Sequence, residues 1–233
     1  MKKLHILSLL AGSALLWSAG ASALLIDDFA TDQALSVQNG STNGPAGGSV
    51  AGPGILGGTR NVVADATATG PSSAFLDVVA GSGATPPGSL NISNATGVNG
   101  VVILTYDAAG AGLGGADLTD GSGIGFQVIS IDLSVSVLIE LTETAGAGGS
   151  TASRVASFAG PGPASFSFAS FANIANVDLT SIDRVRLTFS NPATAWDGAI
   201  DFISTTISEP SAIALFGLGL LGLGAARIRR AKA

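Results

Sequence analysis

Residues 129–142 read Ile-Ser-Ile-Asp-Leu-Ser-Val-Ser-Val-Leu-Ile-Glu-Leu-Thr, and every odd position among them is apolar. Ile129, Ile131, Leu133, Val135, Val137, Ile139 and Leu141 alternate with Ser130, Asp132, Ser134, Ser136, Leu138, Glu140 and Thr142, so only Leu138 breaks the pattern. An extended chain points successive side chains to opposite faces, and this period of two puts one face in a core and the other in water. A helix would scatter the same residues around its circumference. The run is long for one strand, whose usual length is about 5–6 residues, so a bend is expected at 132–134.

Shorter strand signals flank it at 24–29, 61–66, 74–79, 90–93, 101–106, 125–131, 154–158, 165–168, 184–189 and 199–207. Turn chemistry separates them: Asn39-Gly40, Gly52-Pro53-Gly54, Pro86-Pro87-Gly88, Gly110 to Gly115, Gly146 to Gly149 and Gly160 to Pro163. Roughly ten short strands with such punctuation predict an all-β domain of the β-sandwich or jelly-roll kind. Residues 39–58, rich in Gly, Ser and Asn, are expected to form a long loop, and 178–183 (DLTSID) a short helical turn.

Composition agrees. The chain of 233 residues has 33 glycines, no cysteine and only 11% charged residues. Without disulfides the core itself must supply the stability, which a domain above roughly 150 residues can do. The formal charge of −6 conceals a division. Lys2, Lys3, Arg227, Arg229, Arg230 and Lys232 lie at the two ends, whereas residues 24–207 hold four arginines, no lysine and fifteen carboxylates, a net of −11. A surface of that sign repels phosphate backbones, so nucleic acid is not expected as a partner.

The ends carry addresses. Lys2 and Lys3 precede an apolar stretch from Leu4 to Trp17, and Ala21-Ser22-Ala23 offers the small-x-small pattern of a signal peptidase site, so 1–23 reads as a signal peptide cut after Ala23. At the other end, Ser208-Glu209-Pro210 is followed by fifteen apolar residues from Ala212 to Ala226 and then by Arg227, Arg229 and Arg230. Such a helix reaches about 22 Å, short of a ~30 Å hydrocarbon core, but snorkelling arginines and a thinned bilayer can bridge the difference. The basic end belongs in the cytoplasm and the preceding domain on the far side of the inner membrane. Pro210 suits a helix start, and Glu209 lies where the helix dipole favours a carboxylate.

This three-part layout resembles the PEP-CTERM sorting signal, a Pro-Glu-Pro-like motif, a short Gly- and Leu-rich helix and a terminal arginine cluster. Ser208 stands where the first proline of the usual triplet falls. The resemblance covers about a tenth of the chain. It implies processing of 208–233 by exosortase, a membrane cysteine protease or transpeptidase, in a bacterium that makes exopolysaccharide. Within 24–207, the strings Ile26-Asp27-Asp28-Phe29, Gly57-Gly58-Thr59-Arg60, Gly115 to Thr119 and Trp196 to Phe202 resemble ectodomains that precede this tail. The first and last also resemble jelly-roll carbohydrate-binding modules, in which acids near the two termini can hold a structural calcium. By that resemblance Asp27, Asp28 and Asp201 are the candidate calcium ligands. Asp117 and Asp120 form a second acidic cluster, which lacks the spacing of an EF-hand loop.

Removing the signal peptide removes His5, the one histidine. The mature chain then lacks His, Cys and body Lys, which excludes Ser-His-Asp, thiol and Schiff-base catalysis and His-ligated zinc. A glycosidase-like pair needs two acids roughly 5–10 Å apart. Glu140 and Glu143, the only glutamates of the body, are three apart on a strand and so point to opposite faces. Solvation is the simplest reading of both, and no enzyme is expected. Trp196 beside Asp197 either stacks a sugar or caps the core, while Phe158, Phe166, Phe168, Phe171 and Phe189 read as core. The function expected is an exported surface or matrix protein, associated with exopolysaccharide or biofilm. The alternative is a cell-surface carbohydrate-binding module with calcium.

Overall fold

A computed structural model describes residues 22–38, 46–68, 74–192 and 195–207. The expected signal peptide up to residue 21, the sorting motif and the apolar and basic tail lie outside the described residues. Among the described residues no helix is long and apolar enough to cross a membrane.

Thirteen strands follow one another: β1 (Leu25–Asp27), β2 (Gln33–Gln38), β3 (Ala46–Ala51), β4 (Thr59–Ala68), β5 (Phe75–Gly81), β6 (Ser89–Asn94), β7 (Val98–Tyr106), β8 (Gly123–Ile131), β9 (Val135–Glu143), β10 (Thr151–Phe158), β11 (Gly162–Ser167), β12 (Ile182–Ser190) and β13 (Asp197–Thr206). They build two antiparallel sheets packed face to face, a jelly-roll-like β-sandwich. One sheet runs β11-β8-β13-β6-β5-β2, with β1 added alongside β13, and the other runs β10-β9-β12-β7-β4-β3. Side chains of the two inner faces form one core, including Leu76, Leu90, Ile124 and Ile203 from the first sheet and Val102, Leu104, Val137, Ile139, Leu141, Val185 and Leu187 from the second. Each such burial stabilises by about 1.5–3 kcal/mol against exposure of the same side chain.

The bend expected at 132–134 is where the chain passes from one sheet to the other. β8 belongs to the first sheet and β9 to the second. The inward phase changes at the crossing: Ile124, Phe126 and Val128 are buried in β8, whereas Val135, Val137, Ile139 and Leu141 are buried in β9. Ile129 and Ile131 are only half-buried, and Leu133 at the crossover is 40% exposed. The alternation therefore marks one inward face only from Val135 onward.

Two strands depart from the sequence reading. The expected loop 39–58 contains β3 and a 3-10 turn at Leu56–Gly58, while 39–45 lie outside the described residues. β3 is AGGSVA, with too few apolar side chains to show a period. Gly47 serves close approach, since a Cβ there would sit 3.3 Å from the Val62 carbonyl oxygen and from a Val63 methyl. β2 carries its pattern on Leu35 and Val37 alone. The helical turn sits at Ile174–Asn176, ahead of its expected place. Asp178 instead opens a turn in which its Oδ1 accepts from the N–H and hydroxyl of Thr180, at 3.0 and 2.7 Å.

Candidate functional site

β13 is the strand on which the site-bearing segments converge. Trp196 immediately precedes it, Asp197 starts it, Asp201 lies in its middle, and its end runs antiparallel to β1, which carries Asp27. The sandwich thus sets the first and last strands side by side.

Asp27 is fully buried, and its carboxylate is occupied by an arginine. The guanidinium of Arg60, also fully buried, donates through Nη1 to both Asp27 oxygens at 3.0 Å each. The Tyr106 hydroxyl donates to Oδ2 at 2.9 Å and the Phe29 N–H to Oδ1 at 2.8 Å. The other guanidinium nitrogens are satisfied too, Nε by Gln33 Oε1 at 2.8 Å and Nη2 by the Thr31 carbonyl at 2.9 Å. The Phe29 ring lies 5.3 Å from the guanidinium carbon, and Phe29 holds a left-handed φ of 50° to reach that place. Burial pushes the Asp27 carboxyl above its usual range while Arg60 pulls it back, and burial beside that carboxylate drives the Tyr106 hydroxyl well above its ordinary value.

At Asp27, one of the three candidate calcium ligands, Arg60 Nη1 and two further donors fill the oxygens that a cation would need. Asp28 accepts from the Ala30 N–H at 3.0 Å in a local turn, and Asp201 is exposed on the outer face. Among the described residues, no three His, Cys, Asp or Glu side chains cluster so as to hold a metal ion. Asp117 is a turn-former, its Oδ1 accepting from the Thr119 N–H at 2.8 Å and hydroxyl at 2.6 Å.

Of the two readings of Trp196, the structure adopts the core. The indole is 1% exposed, and its Nε1 donates to the Gly100 carbonyl at 3.2 Å. Its own carbonyl accepts from Asn94 Nδ2 at 2.6 Å. A cavity at its face measures about 10 Å³ among mostly apolar side chains, far too small for a sugar ring. Asp197 is exposed but committed: its Oδ1 accepts from the Asn94 N–H at 2.8 Å, and its N–H donates to Asp132 Oδ1 at 2.7 Å. Of the two readings left open for Trp196, sugar stacking lacks a free ring face.

Glu143 also departs from its expected solvated state. It is 3% exposed at an inward position of β9, and it joins two loops: Oε2 accepts from the Asp178 N–H at 2.7 Å and Oε1 from the Ser150 N–H at 3.1 Å. The Asp178 and Ser150 amides hold its carboxyl below the ordinary value of 4.5. A group whose folded pKa is depressed contributes stability above its unfolded pKa and loses it as pH falls through the folded one. The chemical-unfolding midpoint should therefore fall as the pH is lowered below the ordinary value of 4.5, and Glu143→Gln should flatten part of that slope. An unchanged slope in the variant would remove Glu143 from the account. Glu140, on the opposite face, pairs with Arg186 at 3.1 Å.

Sequence reasoning missed Arg60 and Tyr106. The available signal was phase: Arg60 shares the inward parity of Val62, Ala64 and Ala66 on β4, and a charged residue at such a position demands a buried partner.

At its C-terminal end the chain carries the PEP-CTERM protein-sorting motif, which matches residues 206–230. The match begins on Thr206, the last residue of β13. No curated protein matches the chain in sequence. Among solved structures, the chain is similar to the solution structure of CtCBM11, at 13% identity and a TM-score of 0.43 over 82% of this chain and 99% of that one. It is also similar to the family 11 carbohydrate-binding module of the cellulosomal cellulase Lic26A-Cel5E of Clostridium thermocellum, at 15% identity and a TM-score of 0.41 over 80% and 95% of the two chains.

Proposed function

We propose that this is a non-enzymatic exported protein. A signal peptide (1–23) starts its export, and a sorting segment (208–233) holds the 24–207 sandwich at the outer face of the inner membrane until exosortase processes it. The mature domain then joins the cell surface or extracellular matrix, in association with exopolysaccharide. The observation that carries this reading is the sorting motif at 206–230, which starts where the described sandwich ends. The acidic body, −11 over 24–207, supports a life among sugars and water rather than phosphate polymers. Support for a non-catalytic role comes from the two body glutamates, one ion-paired and the other tied to backbone amides on the opposite sheet face.

Two sets of substitutions separate the parts of the tail. Glu209→Ala with Pro210→Ala leaves the apolar segment and its arginines intact, so the chain should insert but accumulate uncut at full length. Arg227→Ser, Arg229→Ser and Arg230→Ser remove the charge that keeps the C-terminus cytoplasmic, so the protein should escape the membrane or be degraded. A plain tail anchor responds only to the second set. Fractionation and intact-mass analysis of the mature product decide between them. Wild-type processing of the Glu209/Pro210 variant overturns the exosortase reading.

A further inference from the structure

The folded domain leaves almost no slack before the sorting motif. β13 stays in the sheet through Thr206, paired on one side with β8 and on the other with β1, so that only Ile207 separates the last paired residue from Ser208. The pins at this end are specific. The Thr205 N–H donates to the Leu24 carbonyl at 2.8 Å, and the Leu24 nitrogen donates back to Thr205 Oγ1 at 2.8 Å. Thr205 is 1% exposed and lies against Gly121, where a Cβ would come within 2.7 Å of the threonine Cβ. Beside it, the Thr206 carbonyl accepts both from the Ser122 N–H and from the Ser122 hydroxyl, the latter at 3.0 Å. A cut after Ala23 makes the Leu24 nitrogen the new N-terminus, and it can still donate to Thr205.

The geometry points to a gate: the Leu24–Thr205 and Ser122–Thr206 clamps hold the entry to the sorting segment against the sandwich, and the end of β13 must peel from β1 and β8 before the processing enzyme can take an extended substrate through its site. This rests on the sorting reading above. Thr205 and Ser122 are then positioning residues for the cut. Proteolysis through a locally opened state proceeds in proportion to its population when opening and closing are fast, so loosening a clamp speeds processing without changing the motif. A chain that has not yet paired β1 with β13 presents an unclamped tail, whereas a finished domain is released slowly.

The test follows the full-length chain in a host that processes it, by pulse-chase with intact-mass identification of the product. Removing one hydrogen bond of ordinary strength raises the open population about fivefold, so Thr205→Val and Ser122→Ala should each speed conversion by about that factor. A flexible Gly-Ser linker of about eight residues between Ile207 and Ser208 should speed it at least as much, and Thr205→Val on top of the linker should add nothing. A core substitution far from this end, Val137→Ala, lowers overall stability without loosening the clamp and should leave the rate unchanged. Equal rates for wild type and linker variant overturn the gate while leaving the sorting reading intact. Acceleration by Val137→Ala equal to that by Thr205→Val also overturns it, because global unfolding would then be the route. Absence of any cut in the tail, with the linker present, overturns the sorting reading and the gate together.

Discussion

Replacing Arg60 with alanine is expected to lower folding stability by about 3–5 kcal/mol, the cost of leaving a buried carboxylate without its counter-charge. Neither partner has any solvent contact, so water cannot take over the role of the guanidinium. The Tyr106 hydroxyl and the Phe29 N–H would remain on Asp27, but they neutralise no charge. The loss has a recognisable pH signature. Burial already raises the Asp27 carboxyl, and Arg60 is the largest influence pulling it down, so the variant's carboxyl climbs further. A raised folded pKa means the native state binds more protons than the unfolded state between the two values, so stability rises as pH falls through that window. The Arg60→Ala protein should thus recover part of its loss on mild acidification, against the trend set by Glu143. Asp27→Leu combined with Arg60→Met should lose much less than the single change, because apolar side chains of similar volume carry no desolvation penalty. Denaturant midpoints for the three proteins across pH decide this. A single-substitution loss below about 1 kcal/mol, the range of exposed pairs, would show that the pair is not dry in solution.

Trp196→Ala is expected to cost about 3–5 kcal/mol as well, through a cavity in the core rather than an uncompensated charge. For a domain of this size that lowers the melting temperature by about 6–20 °C. The buried indole lines a small cavity together with Ile92, Val128, Phe158 and Phe189, and it links the start of β13 to β7 through its Nε1–H and the Gly100 carbonyl. Trp196→Phe should lose less, since it keeps most of the apolar volume and gives up one hydrogen bond and part of the ring. The two variants also guard against a misreading: any loss of glycan association in Trp196→Ala would follow the loss of the fold. Equal melting temperatures for wild type and Trp196→Ala, measured by circular dichroism, would contradict the buried placement.

Local pattern already defined much of this protein. The alternation from Val135 to Leu141, the Gly and Pro punctuation and the absence of helical periodicity determine an all-β sandwich, because burial on one face of a strand must repeat every second residue. The tail is legible for a similar reason. The sorting motif at 206–230 is recognised by composition and order, with no tertiary partner needed.

What the sequence could not supply were facts created by bringing distant strands together. Asp27, Arg60 and Tyr106 come from β1, β4 and β7, and only their convergence turns a candidate calcium ligand into half of a buried ion pair. Trp196 has the same neighbours in sequence whether it stacks a sugar or fills the core, and the approach of Gly100 from β7 decides which. Glu143 reads as a solvated strand residue until the 150 and 178 loops each present an amide to it. The crossing at 132–134 likewise leaves the alternation nearly unbroken in sequence while reversing the inward face. Short-range periodicity determined which residues are extended, and composition and order marked the sorting motif. The partners of each polar side chain depended on contacts between strands far apart in the chain, and those contacts decided which carboxylates and rings remain free for chemistry.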